Sequence, residues 1–91
     1  MEELDVSDLE APEPLVRALE ALERLPPGRC LHMIHRMKPC LLYERLSELG
    51  FESDTRQGRD GRCEVFVWRR DDREAREAAR RAAGDLPPWR D

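Results

Sequence analysis

The residues best suited to chemistry lie together at positions 35–40, where the sequence reads H-R-M-K-P-C. An imidazole can bind a ligand or transfer a proton near neutral pH, and a cysteine thiolate is a nucleophile. The positive charges of Arg36 and Lys38 would favour a thiolate at Cys40 and an anionic ligand beside His35. The segment therefore predicts a binding loop for a small anion or a reactive thiol. The plainer alternatives are an inert cysteine and a histidine that only hydrogen-bonds the loop.

Histidine and cysteine are also metal ligands, and the sequence holds five of them: Cys30, His32, His35, Cys40 and Cys63. They form neither a C-x-x-C pair nor an H-x-x-x-H pair, the spacings typical of metal sites. In a strand, Cys30 and His32 point to one face and His35 to the other. His35 and Cys40 are left as weak candidates for metal ligands that could meet across a loop. No cofactor is predicted.

The composition excludes several classes of partner. The chain has 91 residues, with 16 Lys and Arg against 20 Asp and Glu, and its net charge is -4. The basic residues are scattered, so nucleic-acid binding is not expected. The sequence contains no long apolar run, and its start, M-E-E-L-D, does not resemble a signal peptide. We expect a cytoplasmic protein that does not insert into membranes and whose three cysteines are free thiols.

The elements that position these residues follow from hydrophobic spacing and turn residues. Apolar residues at helical spacing predict two helices, the second ending at Gly50, and alternating apolar residues predict strands on either side of them. The predicted elements are strand 4–6, helix 14–25, strand 30–35, helix 40–49, a hairpin over 51–69 and an alanine-rich helix 72–83. The tail with Trp89 is expected to be mobile unless that side chain finds a pocket.

This βαβαββ order resembles the TusA/SirA family of sulfur carriers over about residues 3–70. The resemblance rests on Leu4-Asp5-Val6, Leu9, the A-P-E-P turn at 11–14 and Pro27-Gly28. Those carriers open their first helix with C-P-x-P, where a helix N-terminus favours the ionised thiol. This chain has Ala11 at the cysteine position. The resemblance therefore implies the fold of the carriers without their nucleophile.

A closer resemblance is to domain-of-unknown-function family 2249, which usually lacks that cysteine. Its members commonly show a histidine after the second strand, then proline, then Leu-Tyr. His35, Pro39, Leu42 and Tyr43 fit this pattern, and Gly50 fits the end of the helix. Members often carry aspartate beside the histidine, whereas this chain has an arginine there. A role that needs a carboxylate next to the imidazole is therefore not expected.

The resemblance implies an α+β two-layer sandwich: a mixed four-stranded sheet with two helices on one face. We expect residues 1–70 to form this TusA-like domain and residues 71–91 to form a helical C-terminal extension. With the second and fourth strands side by side, Ile34, Phe66 and Trp68 would form an apolar patch on the other face. The extension could cover this patch, or a protein partner or a second copy of the chain could bind there.

These features predict a small non-catalytic binding or adaptor module. Its ligand or partner would bind at the strand-to-helix loops or on the open sheet face. The residues predicted to bind a ligand are Glu13, His35, Arg36, Lys38 and Tyr43. The alternative function is a sulfur-transfer or redox protein that uses Cys40 as its thiol.

Overall fold

The computed structural model describes residues 1–90. Its elements are β1 (Glu2–Asp5), α1 (Glu13–Glu23), β2 (Leu31–His35), α2 (Cys40–Leu49), β3 (Phe51–Gln57), β4 (Cys63–Arg69) and α3 (Arg73–Ala83). This is the predicted βαβαββ order followed by a C-terminal helix. Of the helices in this part of the chain, none is long and apolar enough to cross a membrane.

The four strands form one mixed sheet in the order β1-β2-β4-β3. Strand β1 is parallel to β2, whereas β4 is antiparallel to both of its neighbours. The carboxyl ends of β1 and β2 therefore lie at the same edge of the sheet. The loops that lead from these two strands into α1 and α2 become neighbours there, although they are distant in sequence.

The main core lies between the sheet and helices α1 and α2. Helix α1 contributes Ala18 and Leu22, and α2 contributes Leu42 and Leu46. The sheet side of this core is built from the alternate residues Leu31, Met33, Val65 and Val67, as the period of two predicts. Each buried leucine contributes roughly 1.5–3 kcal/mol of transfer free energy, so these few side chains are enough to anchor both helices.

A second core on the opposite face shows that the C-terminal extension covers the predicted apolar patch, which was one of the alternatives for this face. Ala75, Ala79 and Ala83, spaced four residues apart on α3, pack against the other sheet face. Phe66 and Trp68 are only 1% and 7% exposed, so they are not available as a partner surface. Because alanine side chains are small, the helix can approach the aromatic rings closely. The sheet with α1 and α2 forms the predicted two layers, and α3 adds a third layer on the other face of the sheet.

Ile34, the third residue of the predicted patch, is half-buried. Ile34 lies on the sheet face that α3 covers. His32, two residues earlier and therefore on the same face, stacks on the ring of Phe66 with ring centroids 4.5 Å apart. Nε2 of this histidine lies 2.6 Å from Oε1 of Glu64, and Nδ1 lies 3.5 Å from Oε2 of Glu3. The predicted separation of His32 from His35 is therefore observed.

We expected the C-terminal tail to be mobile unless Trp89 found a pocket, and Trp89 does pack against the main core. The Gln57 N–H donates to the carbonyl oxygen of Pro87 (2.8 Å), and the Trp89 N–H donates to that of Thr55 (3.2 Å). Nη1 of Arg56 donates a hydrogen bond to the carbonyl oxygen of Leu86 over 2.8 Å. The indole of Trp89 is half-buried against the main core. The tail thus covers part of the free edge of β3, which would otherwise expose unpaired backbone groups.

Candidate functional site

The two loops that follow β1 and β2 enclose a groove of about 550 Å³. Residues 9–12, 14 and 15 form one wall and residues 35–42 form the other. The groove is lined by Leu9, Glu10, Ala11, Pro12, Pro14, Leu15, His35, Arg36, Met37, Lys38, Pro39, Cys40, Leu41 and Leu42. It lies beyond the carboxyl ends of two parallel strands, the edge at which ligands commonly bind in α/β folds.

The first wall is shaped by prolines. Pro12 precedes α1, and Pro14 lies in the first turn, where the missing N–H leaves no helical hydrogen bond unmade. The peptide bond between Ala11 and Pro12 is cis. The methyl group of Ala11 thus lines the groove where the resemblance to the carriers implies a thiol. At this position the wall offers a ligand only apolar contact.

His35 is the one polar or charged residue buried among residues 1–90, with 6% of its surface exposed. Its Nδ1 accepts a hydrogen bond from the Arg36 N–H at 2.9 Å. Burial lowers the pKa of His35, and the positive charge of Arg36 lowers it further. The ring is therefore neutral near pH 7. Because Nδ1 acts as the acceptor, the ring proton is assigned to Nε2, which makes His35 a hydrogen-bond donor in an apolar groove.

The cations of the second wall already have partners. Nη2 of Arg36 lies 3.3 Å from Oε2 of Glu10, so this ion pair joins the two walls. Nζ of Lys38 lies 5.8 Å from the centre of the Tyr43 ring, within the range of a cation–π contact. The two cations predicted to attract an anion are therefore both at the groove, and one carboxylate stands beside them.

Cys40 is the first residue of α2 and is exposed. Its side chain lines the groove, together with Pro39 before it and Leu41 after it. The predicted position of this cysteine at a helix start is confirmed by the bounds of α2. The other two cysteines, Cys30 and Cys63, are fully buried, so Cys40 is the accessible thiol of the described chain.

Two residues predicted to bind the ligand do not line the groove. The hydroxyl of Tyr43 lies 2.5 Å from Oγ1 of Thr55, because position 43 faces β3. Glu13 is exposed on α1, with its carboxylate 3.4 Å from Nε of Arg17 one turn later. Glu13 and Tyr43 therefore lie outside the groove lining, and their role in ligand binding stays a prediction. The acidic residue that does line the groove is Glu10, which sequence spacing did not single out.

The apolar rim of the groove was also missed. Leu41 is 70% exposed and Met37 is 54% exposed, and both lie at the mouth of the groove. Leu41, at the start of an amphipathic helix, could have been recognised by its position outside the spacing of the buried residues Leu42 and Leu46. No comparable signal exists for Met37, since a loop has no periodicity from which exposure can be deduced.

The weak metal prediction gains no support. His35 and Cys40 both line the groove. No group of three histidine, cysteine, aspartate or glutamate side chains suited to a metal ion occurs within residues 1–90. A pair without a third protein ligand falls short of the three or four that zinc sites use.

A second depression of about 640 Å³ lies at the opposite end of the molecule, beside Gly28, Gly50 and Asp72. One of its polar side chains, Asp72, is already used in the fold. Asp72 accepts hydrogen bonds from the N–H groups of Gly28 (2.7 Å) and Ala75 (3.0 Å), which cap α3 and lower the pKa of the carboxyl group. The groove is therefore the better candidate site.

Comparisons with known proteins agree with this architecture. The DUF2249 family, described as an uncharacterized conserved protein, matches residues 3–69. The crystal structure of a SirA-like protein from Desulfitobacterium hafniense is similar, with a TM-score of 0.65 and 21% sequence identity over 74% of this chain and 95% of that chain. At this identity the likeness concerns the fold alone. No curated protein matches the chain.

Proposed function

We propose that this chain, which belongs to the DUF2249 family of uncharacterized conserved proteins, is a small non-catalytic binding module. Its binding site is the groove between the β1–α1 and β2–α2 loops. The observation that carries the proposal is the combination of apolar walls with one buried hydrogen-bond donor, His35.

The size and lining of the groove support this function. Small-molecule sites are typically concave, about 300–1,000 Å³ in volume and mostly apolar, with a few polar groups that orient the ligand. The groove has a volume of about 550 Å³. Its walls are largely aliphatic side chains and prolines, and the neutral ring of His35 adds a single donor for a ligand oxygen.

The exposed side chains at the mouth support a ligand that extends to the surface. Leu41 and Met37 leave much of their apolar area in water in the free protein. Covering such area is favourable by roughly 25 cal/mol per Å². An apolar ligand in the groove would therefore be stabilised both by the walls and by these two residues.

The absence of a carrier cysteine supports a non-catalytic role. Ala11 lines the groove at the start of the first helix. An alanine methyl group can neither ionise nor carry sulfur. The groove keeps a shape that can hold a ligand, while the nucleophile implied by the resemblance to sulfur carriers is missing from it.

The test is a titration with 1-octanol, an apolar probe that carries a single oxygen. We expect saturable binding to the wild-type protein and weaker binding to Leu41→Glu. Leu49→Glu is the matched control, because Leu49 is also exposed on α2 but lies outside the groove. Equal binding by the two variants, or no saturable binding to the wild type, would refute the proposal.

A second candidate function is sulfur transfer or redox chemistry at Cys40. It is favoured by one observation: the accessible thiol lines the groove at the start of a ten-residue helix. Because Cys30 and Cys63 are buried, alkylation of the folded protein by iodoacetamide reports on Cys40, with Cys40→Ser as the control. This candidate predicts rapid alkylation well below the pH at which a model thiol reacts. An ordinary pH profile would dismiss it.

The proposal includes a cytoplasmic location. None of the three cysteines, all within the described residues, forms a disulfide, and two of them are fully buried. Free thiols persist in reducing compartments, whereas secreted domains of this size commonly rely on disulfides.

A further inference from the structure

We infer that the ligand of the groove is a small carboxylate with an apolar chain, and that Glu10 occupies the carboxylate position in the free protein by pairing with Arg36. This inference rests on the proposed function of the groove as a binding site. It adds the chemical class of the ligand and a built-in competitor for its charged end.

The first support is the geometry of the ion pair. Glu10 belongs to the β1–α1 loop and Arg36 to the β2–α2 loop, so their contact spans the groove. The single contact of 3.3 Å is longer than the 2.7–2.9 Å of a strong charge-assisted hydrogen bond. Arg36 is therefore not engaged in the paired, bidentate arrangement that a guanidinium prefers with a carboxylate.

The second support is exposure. The side chain of Glu10 is 86% exposed and that of Arg36 is 43% exposed. Ion pairs between such exposed groups contribute little to stability, because water solvates both charges. Replacing Glu10 with the carboxylate of a ligand would therefore cost the fold little. Glu10 has water available as soon as it leaves Arg36.

The third support is the local charge. Three charged side chains line the groove, namely Glu10, Arg36 and Lys38, which sum to one positive charge. The whole chain has a net charge of -4. Cationic side chains thus outnumber carboxylates in the groove lining, and a negatively charged ligand end would be attracted to Arg36.

A carboxylate fits this arrangement better than a phosphate. One guanidinium matches the planar fork of a carboxylate, and the donor of His35 is neutral. Sites for phosphate groups usually offer several backbone N–H groups or clustered cations. Arg36 has one cationic neighbour in the groove, Lys38, and that ammonium lies against the Tyr43 ring.

The walls select the remainder of the ligand. They are formed mainly by leucine, proline and methionine side chains, which a hydrocarbon chain can contact along its length. A volume of about 550 Å³ suits one small molecule. We therefore assign the ligand as a free carboxylic acid of medium chain length, and not as the C-terminus of a protein.

The experiment compares octanoate with 1-octanol, which has the same chain length and no charge. Both are titrated into the wild type, Arg36→Gln and Glu10→Gln. We expect Arg36→Gln to weaken octanoate binding about fivefold and Glu10→Gln to strengthen it about twofold, because the competitor is removed. Binding of 1-octanol should change in neither variant.

The pair formed by Glu13 and Arg17 provides matched controls. It is also an exposed ion pair, with a contact of 3.4 Å, but neither residue lines the groove. Glu13→Gln and Arg17→Gln should leave octanoate affinity unchanged. Thermal unfolding of all four variants checks that each is folded, and the substitutions are at exposed sites where folding is expected to survive.

The outcomes separate the inference from the proposed function. If 1-octanol binds in the groove but octanoate affinity does not respond to Arg36→Gln, the carboxylate assignment is overturned and the binding function stands. If neither probe binds, both fail. Tighter binding of an N-acetylated trileucine peptide than of octanoate would overturn the small-molecule assignment in favour of a protein C-terminus.

Discussion

The backbone N–H of Arg36 donates a hydrogen bond to Nδ1 of His35 over 2.9 Å. This contact joins two consecutive residues and fixes the imidazole where β2 ends. It assigns the remaining proton of the neutral ring to Nε2. The same loop carries the Arg36 side chain toward Glu10. This hydrogen bond thus leaves Nε2–H of His35 as the donor, and the side chain of the adjacent Arg36 supplies a cation at the groove.

The first prediction concerns the pH dependence of stability. The pKa of His35 is lowered by burial and by the charge of Arg36. In the unfolded chain this histidine takes up a proton near its usual pKa of about 6.5, whereas in the folded protein it resists protonation. The free energy of unfolding is therefore not reduced by this histidine above that pH, and it decreases as the pH falls below it.

The measurement is the free energy of unfolding in urea at about pH 7.5 and about pH 5.5, a window above the usual titration of carboxylates. His35→Gln should show a smaller decrease between the two pH values than the wild type. The other histidine, His32, is present in both proteins and cancels in the comparison. An equal or larger decrease in His35→Gln would contradict the assignment of a neutral, buried imidazole.

The second prediction concerns the cover on the α3 face of the sheet. Ala79 is 1% exposed and belongs to the same core cluster as Phe66 and Trp68. Ala79→Leu should destabilise the protein by about 1–3 kcal/mol, because the added carbons have no space in a packed core. Arg80→Leu, at the next and exposed position, should change stability by less than about 0.5 kcal/mol. Urea unfolding of both variants measures the difference.

Similar stabilities of Ala79→Leu and Arg80→Leu would mean that α3 does not pack on the sheet. In that case Phe66 and Trp68 would again be candidates for a partner surface, and a second copy of the chain would be sought there by sedimentation.

The third prediction concerns the tail. The side chain of Trp89 is half-buried, and its backbone N–H donates to the carbonyl oxygen of Thr55. Trp89→Ala should lower the free energy of unfolding by about 1–2 kcal/mol through lost apolar burial. It should also speed hydrogen exchange of the Gln57 amide, which donates to Pro87. The amide of Val67, in a central strand, serves as the internal control.

If exchange at Gln57 and Val67 were accelerated by the same factor, the tail would be opening only with the whole fold. Unchanged exchange at Gln57 would show that the tail does not cover the edge of β3 in solution.

Much of the fold could be predicted because the signals are local. The Gly50 position at the end of α2 has φ = +84°, the left-handed conformation that glycine adopts at helix ends. The alternation of Val65 and Val67 with Phe66 and Trp68 correctly assigned the two sheet faces. Periodicity could not decide what covers the second face, because an alanine-rich, highly charged helix also fits a solvated position.

The candidate site could be predicted only where its residues are contiguous. His35, Arg36, Lys38 and Cys40 share one loop and were recognised together. Glu10 lies 26 positions before Arg36 and has no local signal, since only the parallel pairing of β1 with β2 brings the two loops together. Tyr43 shows a second limit: a matching residue type in a family pattern does not tell which way the helix turns the side chain, and the Tyr43 hydroxyl contacts Thr55 of β3.

The most direct test of the proposed function is a chemical-shift map of ¹⁵N-labelled protein titrated with 1-octanol. The account predicts saturable shifts concentrated at residues 9–12, 14, 15 and 35–42, the two walls of the groove. Resonances near Gly28 and Asp72, at the opposite end, should stay in place. Shifts centred on that opposite depression, or none at concentrations of several millimolar, would contradict the claim that the groove is a binding site.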